Sequence, residues 1–281
     1  MARKVALVTG SGTGVGAATV LRLSAAGFDV ALLYRSSADA AREVARAAEA
    51  NGARVLEVRC DVTIDAQCRA AVARVDEELR RLDLVVNCAG ATKLVAFDDL
   101  DGATDEIFHD LLSSNVLGAM HITRAARSLL ERTAAMNAAE GLAPTAASTC
   151  VVNISSTAAR LVQGSSLPYA CSKAALDALT VGLARTLAPA NVRVNGIAPG
   201  FIEGDWLRTL LGDNFEAQRD AFAQATPLRR VCTPDDVAEA VVNLSQCAMI
   251  TGQTLVVDGG SVIRGFVTSL PSAGGLAPAK R

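Results

Sequence analysis

Excess charge of one sign, paired cysteines, histidine and long apolar runs are all scarce or missing in this sequence of 281 residues, and each shortage removes a class of function. Lys and Arg number 27 against 29 Asp and Glu, a formal net charge of −2. That balance offers no positive field to a polyphosphate duplex, and no basic run is interleaved with aromatics, so no nucleic-acid partner is expected. Seven cysteines (Cys60, Cys68, Cys88, Cys150, Cys171, Cys232, Cys247) are scattered without a C-x-x-C pair to grip zinc or exchange disulfides. They read as small buried apolar groups, and they predict a reducing, cytoplasmic setting without a metal. No stretch of about 18 predominantly apolar residues occurs. The opening Met-Ala-Arg-Lys-Val enters an apolar strand directly, so neither a membrane span nor a signal peptide is expected. The two histidines, His109 and His121, fall in one long helical stretch, where packing or solvent contact is the simpler role, and a Ser-His-Asp hydrolase is disfavoured.

What is abundant is apolar: 51% of the residues are hydrophobic, too many for a disordered chain. Short runs rich in Val, Leu and Ile predict strands at 4–8, 29–34, 54–58, 83–86, 150–154, 192–196 and 254–257. Ala-rich segments of helical spacing predict helices near 15–26, 38–50, 64–80, 104–132, 168–188 and 234–247. Strands apolar at consecutive positions are covered on both faces, as a parallel sheet between helices requires. The expectation is therefore a doubly wound α/β parallel sheet of about seven strands in one domain over 1–262. Residues 133–149 read as a loop insertion, and 263–281 as a loose tail.

After the first strand comes Thr9-Gly10-Ser11-Gly12-Thr13-Gly14-Val15-Gly16. Its glycines let the backbone turn sharply and approach a pyrophosphate, and the following helix presents its unpaired N–H groups to the anion. A glycine-rich turn without a ligand is the alternative, disfavoured by the position between strand and helix. The second strand ends Tyr34-Arg35-Ser36-Ser37. A carboxylate there would suit the adenosine ribose of NAD(H), whereas guanidinium and hydroxyl donors favour the 2′-phosphate of NADP(H). Asp61 and Val62 follow the third strand, where the carboxylate and the Val62 backbone could contact adenine, unless Asp61 only caps a turn. Asn87-Cys88-Ala89-Gly90 ends the fourth strand, where Asn87 either braces the sheet or lies along the cofactor.

Tyr169 and Lys173 stand four residues apart, on one face of a helix. An ammonium beside a phenol would draw its pKa from about 10 toward neutrality, as acid–base work needs. Tyr-x-x-x-Lys also arises by chance on solvated helix faces. The pairing gains weight because the chain contains only two tyrosines. Ser156 ends the fifth strand at the edge where open α/β sheets bind ligands, 13 residues before Tyr169.

Together these motifs resemble the short-chain dehydrogenase/reductase family. Thr9 to Gly16 matches its T-G-x-x-x-G-x-G turn, Asn87 to Gly90 its N-x-A-G, and Ser156 with Tyr169-x-x-x-Lys173 its catalytic set. Asn115 matches a fourth catalytic position, and Pro199-Gly200 and Asp258-Gly259-Gly260 match later landmarks. The resemblance implies a Rossmann-like fold and hydride transfer between a nicotinamide and a carbonyl or secondary alcohol. Tyr169 would donate the proton, Lys173 bind the nicotinamide ribose, Ser156 orient the carbonyl oxygen and Asn115 hold a relay water. Pro199, Gly200 and Ile202 would pass the nicotinamide. Two departures stand out: Glu203-Gly204-Asp205 replaces a frequent threonine, and Thr13 replaces a basic residue common in NADP(H)-preferring relatives.

The sequence is most similar to reductases of the 3-oxoacyl-acyl-carrier-protein type. Dehydrogenases of sugars, steroids or other small alcohols, or a dinucleotide-binding sensor without turnover, are the alternatives. Residues 201–226, with Trp206, Leu207, Leu210, Leu211, Phe215 and Phe222, read as a substrate lid or as helices packing on themselves, and 160–167 should line the pocket. Assembly as a homodimer or homotetramer through the helices holding Asn115 and Tyr169 is also implied.

Overall fold

The fold is taken from a computed structural model, which describes residues 3–142, 148–204, 208–209 and 212–264. Seven strands form one parallel sheet: β1 (Lys4–Thr9), β2 (Phe28–Tyr34), β3 (Val55–Arg59), β4 (Leu84–Asn87), β5 (Thr149–Ile154), β6 (Val192–Pro199) and β7 (Thr254–Val257). Their spatial order is β3-β2-β1-β4-β5-β6-β7. The chain winds outward from β1 to β3, then returns to place β4 on the other side of β1. A crevice therefore opens at the C-terminal ends of β1 and β4, where an α/β sheet of this winding takes its ligand.

Successive strand residues face opposite layers, so runs such as Ala6-Leu7-Val8 feed two cores at once. Leu7, Leu33, Val85, Val151 and Val194 pack under α3 (Asp65–Leu79), α5 (Gly118–Ala139) and α7 (Leu167–Leu187). Ala6, Val8, Leu32, Val86 and Val152 pack under α1 (Gly14–Ala25), α2 (Ala38–Ala50) and α9 (Pro234–Gln246). The remaining helices are α4 (Asp105–Leu112), the single turn α6 (Ala158–Leu161) and α8 (Phe215–Ala225).

Polar side chains fix the ends. Asp83 accepts from Val5 N at 2.8 Å and from Arg81, joining the entries to β1 and β4. Thr233 and Asp236 form a reciprocal cap at the start of α9. Buried Arg193 donates to the carbonyls of Leu244, Ser245 and Ile250 and to Ser148 Oγ, satisfying acceptors at the end of that helix.

Three expectations are corrected. The helix expected over 104–132 is interrupted by a π-helical turn at Ser113–Leu117 and then runs on to Ala139. The insertion expected at 133–149 is thus helical over its first seven residues, because Thr133, Ala134 and Asn137 are buried against the sheet layer. Residues 143–147 and most of the tail lie outside the described residues. The sixth strand extends past 196 to Pro199, paired with β7 through Val257.

Candidate active site

At the crevice, Gly10 adopts φ +64°, and a Cβ on it would stand 2.8 Å from Ala89 Cα, so the glycine loop lies against the end of β4. A side chain on Gly16 would collide with the Gly10 carbonyl, which explains why the closing glycine is at 16 and why Val15, half-buried on the core, need not be one. Ser11 is buried, and its N–H and hydroxyl both donate to Leu33 O, at 3.1 and 2.9 Å, tying the loop to β2. Thr13 and Gly14 are exposed at the mouth of α1. A Cβ on Gly14 would meet nothing within 4 Å, so the space over the loop is open, and the residues fit a pyrophosphate cradle. Thr9, inside the motif but given no separate role by the sequence, accepts from Cys88 N and Ala89 N at 3.0 and 2.9 Å and holds the two walls together.

Farther along the edge, Tyr34 is half-buried while Arg35 and Ser36 are exposed at the end of β2. Asp61 Oδ1 accepts from the N–H and hydroxyl of Thr63, which hold its carboxyl below the usual range against a burial effect that raises it. The turn-cap alternative for Asp61 is therefore real. Val62 O lies 2.9 Å from His121 Nδ1, and its side chain abuts Gly118. His121 thus positions the turn, a role that requires contact across 59 residues and leaves no mark in local spacing. Asn87 takes the bracing role: its amide donates to Asn153 Oδ1 at 2.8 Å and Thr123 Oγ1 at 3.1 Å, linking β4, β5 and α5. Its Oδ1 is a buried acceptor without a partner among the described residues.

The candidate reacting groups come from three elements. Ser166 caps α7 by accepting from Tyr169 N, with Pro168 in the first turn, which fixes Tyr169 at the head of that helix. The Ser156 hydroxyl, just past the end of β5, stands close enough to the Tyr169 phenol to favour its ionised form, and it accepts from Ala158 N at 3.1 Å. Lys173, one turn below, is buried, and its Nζ donates to Ile154 O at 2.8 Å. Asn115 projects from the π turn: Oδ1 accepts from Ala91 N at 2.8 Å, and Nδ2 donates to Ala91 O and Ser172 Oγ at 3.0 and 2.9 Å. Ser172 hydrogen-bonds back to Tyr169 O at 2.8 Å, so a residue overlooked in the sequence joins Asn115 to the tyrosine's own turn. A Cβ on Gly90 would stand 2.9 Å from Asn115 Oδ1 and 3.6 Å from Lys173 Nζ, which places the N-x-A-G loop on the same cluster.

The electrostatics differ from the sequence expectation. Burial pushes the Tyr169 phenol above its ordinary value, and the Ser156 hydrogen bond only partly offsets this. Burial also pulls Lys173 down to about 8, against the neighbouring Cys88 and Asp177. The ammonium lies 5.7 Å from the Tyr169 ring centre and is hydrogen-bonded to a carbonyl, and burial outweighs what lowers the phenol.

The Pro199-Gly200 end of β6 closes the site. Pro199 O accepts from Thr157 N and Gly200 N donates to Val257 O, both at 2.9 Å, while Ile202 bridges to Cys232. Of the expected lid, Trp206, Leu207, Leu210 and Leu211 lie outside the described residues. Phe215 is buried, whereas Phe222 stacks on Phe201 with centroids 4.5 Å apart. No group of three or more potential metal ligands occurs among the described residues, and none of their helices is long and apolar enough to cross a membrane.

A family profile described as Enoyl-(Acyl carrier protein) reductase matches residues 10–262. The chain is 40% identical over 258 residues to "Granaticin polyketide synthase putative ketoacyl reductase 2" of Streptomyces violaceoruber, covering 92% of this chain and 95% of that one. It is 32% identical over 262 residues to the 3-oxoacyl-(acyl-carrier-protein) reductase FabG of Pseudomonas aeruginosa, covering 92% and 96%. Among solved structures, the 3-ketoacyl-(acyl-carrier-protein) reductase of Brucella melitensis complexed with NADH superposes with a TM-score of 0.79 at 31% identity, over 92% of this chain and 98% of that one.

Proposed function

The chain belongs to the short-chain dehydrogenase/reductase family and is an oxidoreductase; from that premise we propose that it reduces the ketone of a 3-oxoacyl thioester with NADPH, using Tyr169 as proton donor. The observation that carries the reading is the Ser156–Tyr169 hydroxyl pair at the sheet edge, with the Lys173 ammonium buried one turn below.

The bound nicotinamide supplies the hydride. Ser156 directs its hydroxyl toward the substrate carbonyl oxygen, beside the phenol that must protonate the same atom. The raised pKa keeps Tyr169 protonated near neutral pH, which is the form a carbonyl reduction consumes. Lys173 uses one N–H on Ile154 O and has two more for the ribose hydroxyls. The Asn115 side-chain amide is engaged by Ala91 and Ser172, so it orders the wall of the site, and a relay water would meet Asn115 through its main chain.

NADPH is favoured by Arg35, Ser36 and Ser37 at the end of β2, where no acid stands. The ketoacyl class is supported by the names of the relatives at 40% and 32% identity, and the Phe201–Phe222 stack supplies an apolar wall for an acyl chain. Leu117 and Val181 are 50% and 56% exposed on the elements that hold Asn115 and Tyr169, which suits assembly as a dimer or tetramer through those helices. Light scattering giving a monomer would remove that assembly.

The test is NADPH consumption with a panel of carbonyls that includes a 3-oxoacyl thioester, for the protein and for Tyr169→Phe. Turnover of the thioester that falls at least about a hundredfold in the variant is expected. Undiminished turnover in the variant would exclude Tyr169 as the donor, and preference for NADH would exclude the coenzyme assignment.

A further inference from the structure

Resting on that NADPH reading, we propose that Arg59, at the end of β3, is a second specificity-determining residue for the 2′-phosphate. It would hold the Arg35 backbone in place and add its own guanidinium to the same pocket.

Arg59 pairs in register with Tyr34, so its side chain emerges beside the β2 turn. Its Nε donates to Arg35 O at 3.2 Å, and Cys60 N donates to Tyr34 O at 2.8 Å, so the turn that carries Arg35 is held from β3. From the other side, Ser11 holds Leu33 O, and Gly12 approaches Ser37 so closely that a Cβ on Gly12 would collide with the Ser37 hydroxyl. Ser37 heads α2 without capping it, which leaves its hydroxyl available. The Arg59 guanidinium, the exposed turn that carries Arg35 and Ser36, and the Ser37 hydroxyl thus share one corner beside the glycine loop.

Neither arginine is ion-paired there. Among the described residues neither Arg35 nor Arg59 has a carboxylate oxygen within 4.0 Å, whereas Arg69, Arg74, Arg124 and Arg132 on the neighbouring helices are each ion-paired. The acid that senses Arg35 is Asp61, whose Oδ1 is already held by Thr63. Cations on neighbouring strand ends that lack an ion-pair partner attract a phosphate dianion and can give it charge-assisted hydrogen bonds. With Nε fixed on Arg35 O, the two terminal nitrogens of Arg59 are left for the ligand.

Calorimetry with 2′,5′-ADP and with ADP separates this proposal from the coenzyme assignment beneath it. The unmodified protein should bind 2′,5′-ADP more tightly; equal or tighter binding of ADP would overturn the NADPH reading itself. Given that preference, Arg59→Gln should raise the Kd of 2′,5′-ADP by about tenfold and change that of ADP less than about twofold. Arg59→Lys, which restores charge but not the planar fork, should fall between. Loss of both ligands in parallel, or of neither, would overturn the role of Arg59. The side chain is exposed, so both variants should keep the parent's thermal unfolding midpoint, and a fall in it accompanied by parallel loss of both ligands counts against the proposal.

Discussion

Lys173 Nζ donates to the Ile154 carbonyl at 2.8 Å and lies 5.7 Å from the centre of the Tyr169 ring. The lysine is anchored to the strand that leads to Ser156, and its ammonium stands over the face of the tyrosine ring. Before a cofactor binds, burial governs both groups: it disfavours the phenolate and it disfavours the ammonium.

A descending limb in the pH profile follows. The profile of kcat/KM for reduction reports the free enzyme, so it should fall above about 8 as Lys173 loses its proton, while Tyr169 keeps its own. Lys173→Arg, if active, should move the limb upward because guanidinium does not titrate there. A limb unchanged in that variant would assign it to another group.

Lys173 should also cost stability. Its folded pKa lies below its ordinary value of 10.5, so the penalty is complete below about 8 and disappears as pH rises through 10.5. Lys173→Met should therefore be inactive yet more stable at pH 7, by about 1–2 kcal/mol after the lost donor to Ile154 O is counted. Denaturant unfolding at pH 7 and above pH 10 should show the difference shrinking; a variant less stable than the parent at pH 7 contradicts this.

The Asn115–Ser172 link should be measurable as coupling. Asn115→Ala removes the side-chain partners of the Ala91 N–H and carbonyl, which are exposed enough for water to replace them, and should cost about 1–2 kcal/mol. Ser172→Ala alone should cost about 1 kcal/mol, and the double variant should lose less than the total of the two by 0.5 kcal/mol or more, about the threshold for residues in contact. Additive losses would mean that the 2.9 Å contact carries no energy.

Arg193 should matter to folding and not to binding. Arg193→Met removes the donor to the Ser245 carbonyl and one of the donors to the Leu244 and Ile250 carbonyls, far from the Ser156–Tyr169–Lys173 cluster, and should lower stability by about 1–3 kcal/mol. Affinity for 2′,5′-ADP in the folded variant should remain that of the parent. A matching loss of affinity would place Arg193 in contact with the site.

The sheet was legible in the sequence because strands covered on both faces are apolar at consecutive positions, as in Leu84-Val85-Val86. The candidate set was legible because Ser156, Tyr169 and Lys173 fall at the spacing of a known family, and the structure brings them together at the ends of β5 and α7. What escaped was set by partners distant in sequence. His121 reaches Val62, Ser172 reaches Asn115, and Arg59 reaches Arg35 through backbone or side-chain contacts that no periodicity encodes. Helical spacing correctly put Tyr169 and Lys173 on one face, but it carried no information on the Ile154 carbonyl that claims the ammonium. Residues 133–139 read as a loop because they are small, and a neighbouring layer makes them helical by burying Thr133, Ala134 and Asn137.

The π turn at Ser113–Leu117 has a genetic consequence. A π turn contains one residue more than the α-helical turn it replaces, so a single-codon deletion within it could restore an unbroken helix from Asp105 to Ala139 with its downstream face in register. The scaffold would survive such a deletion better than the site, since Asn115 would lose the bulge from which it reaches Ala91 and Ser172. Within this one helix, inheritance of the fold and inheritance of the Asn115 contacts are separable by three nucleotides.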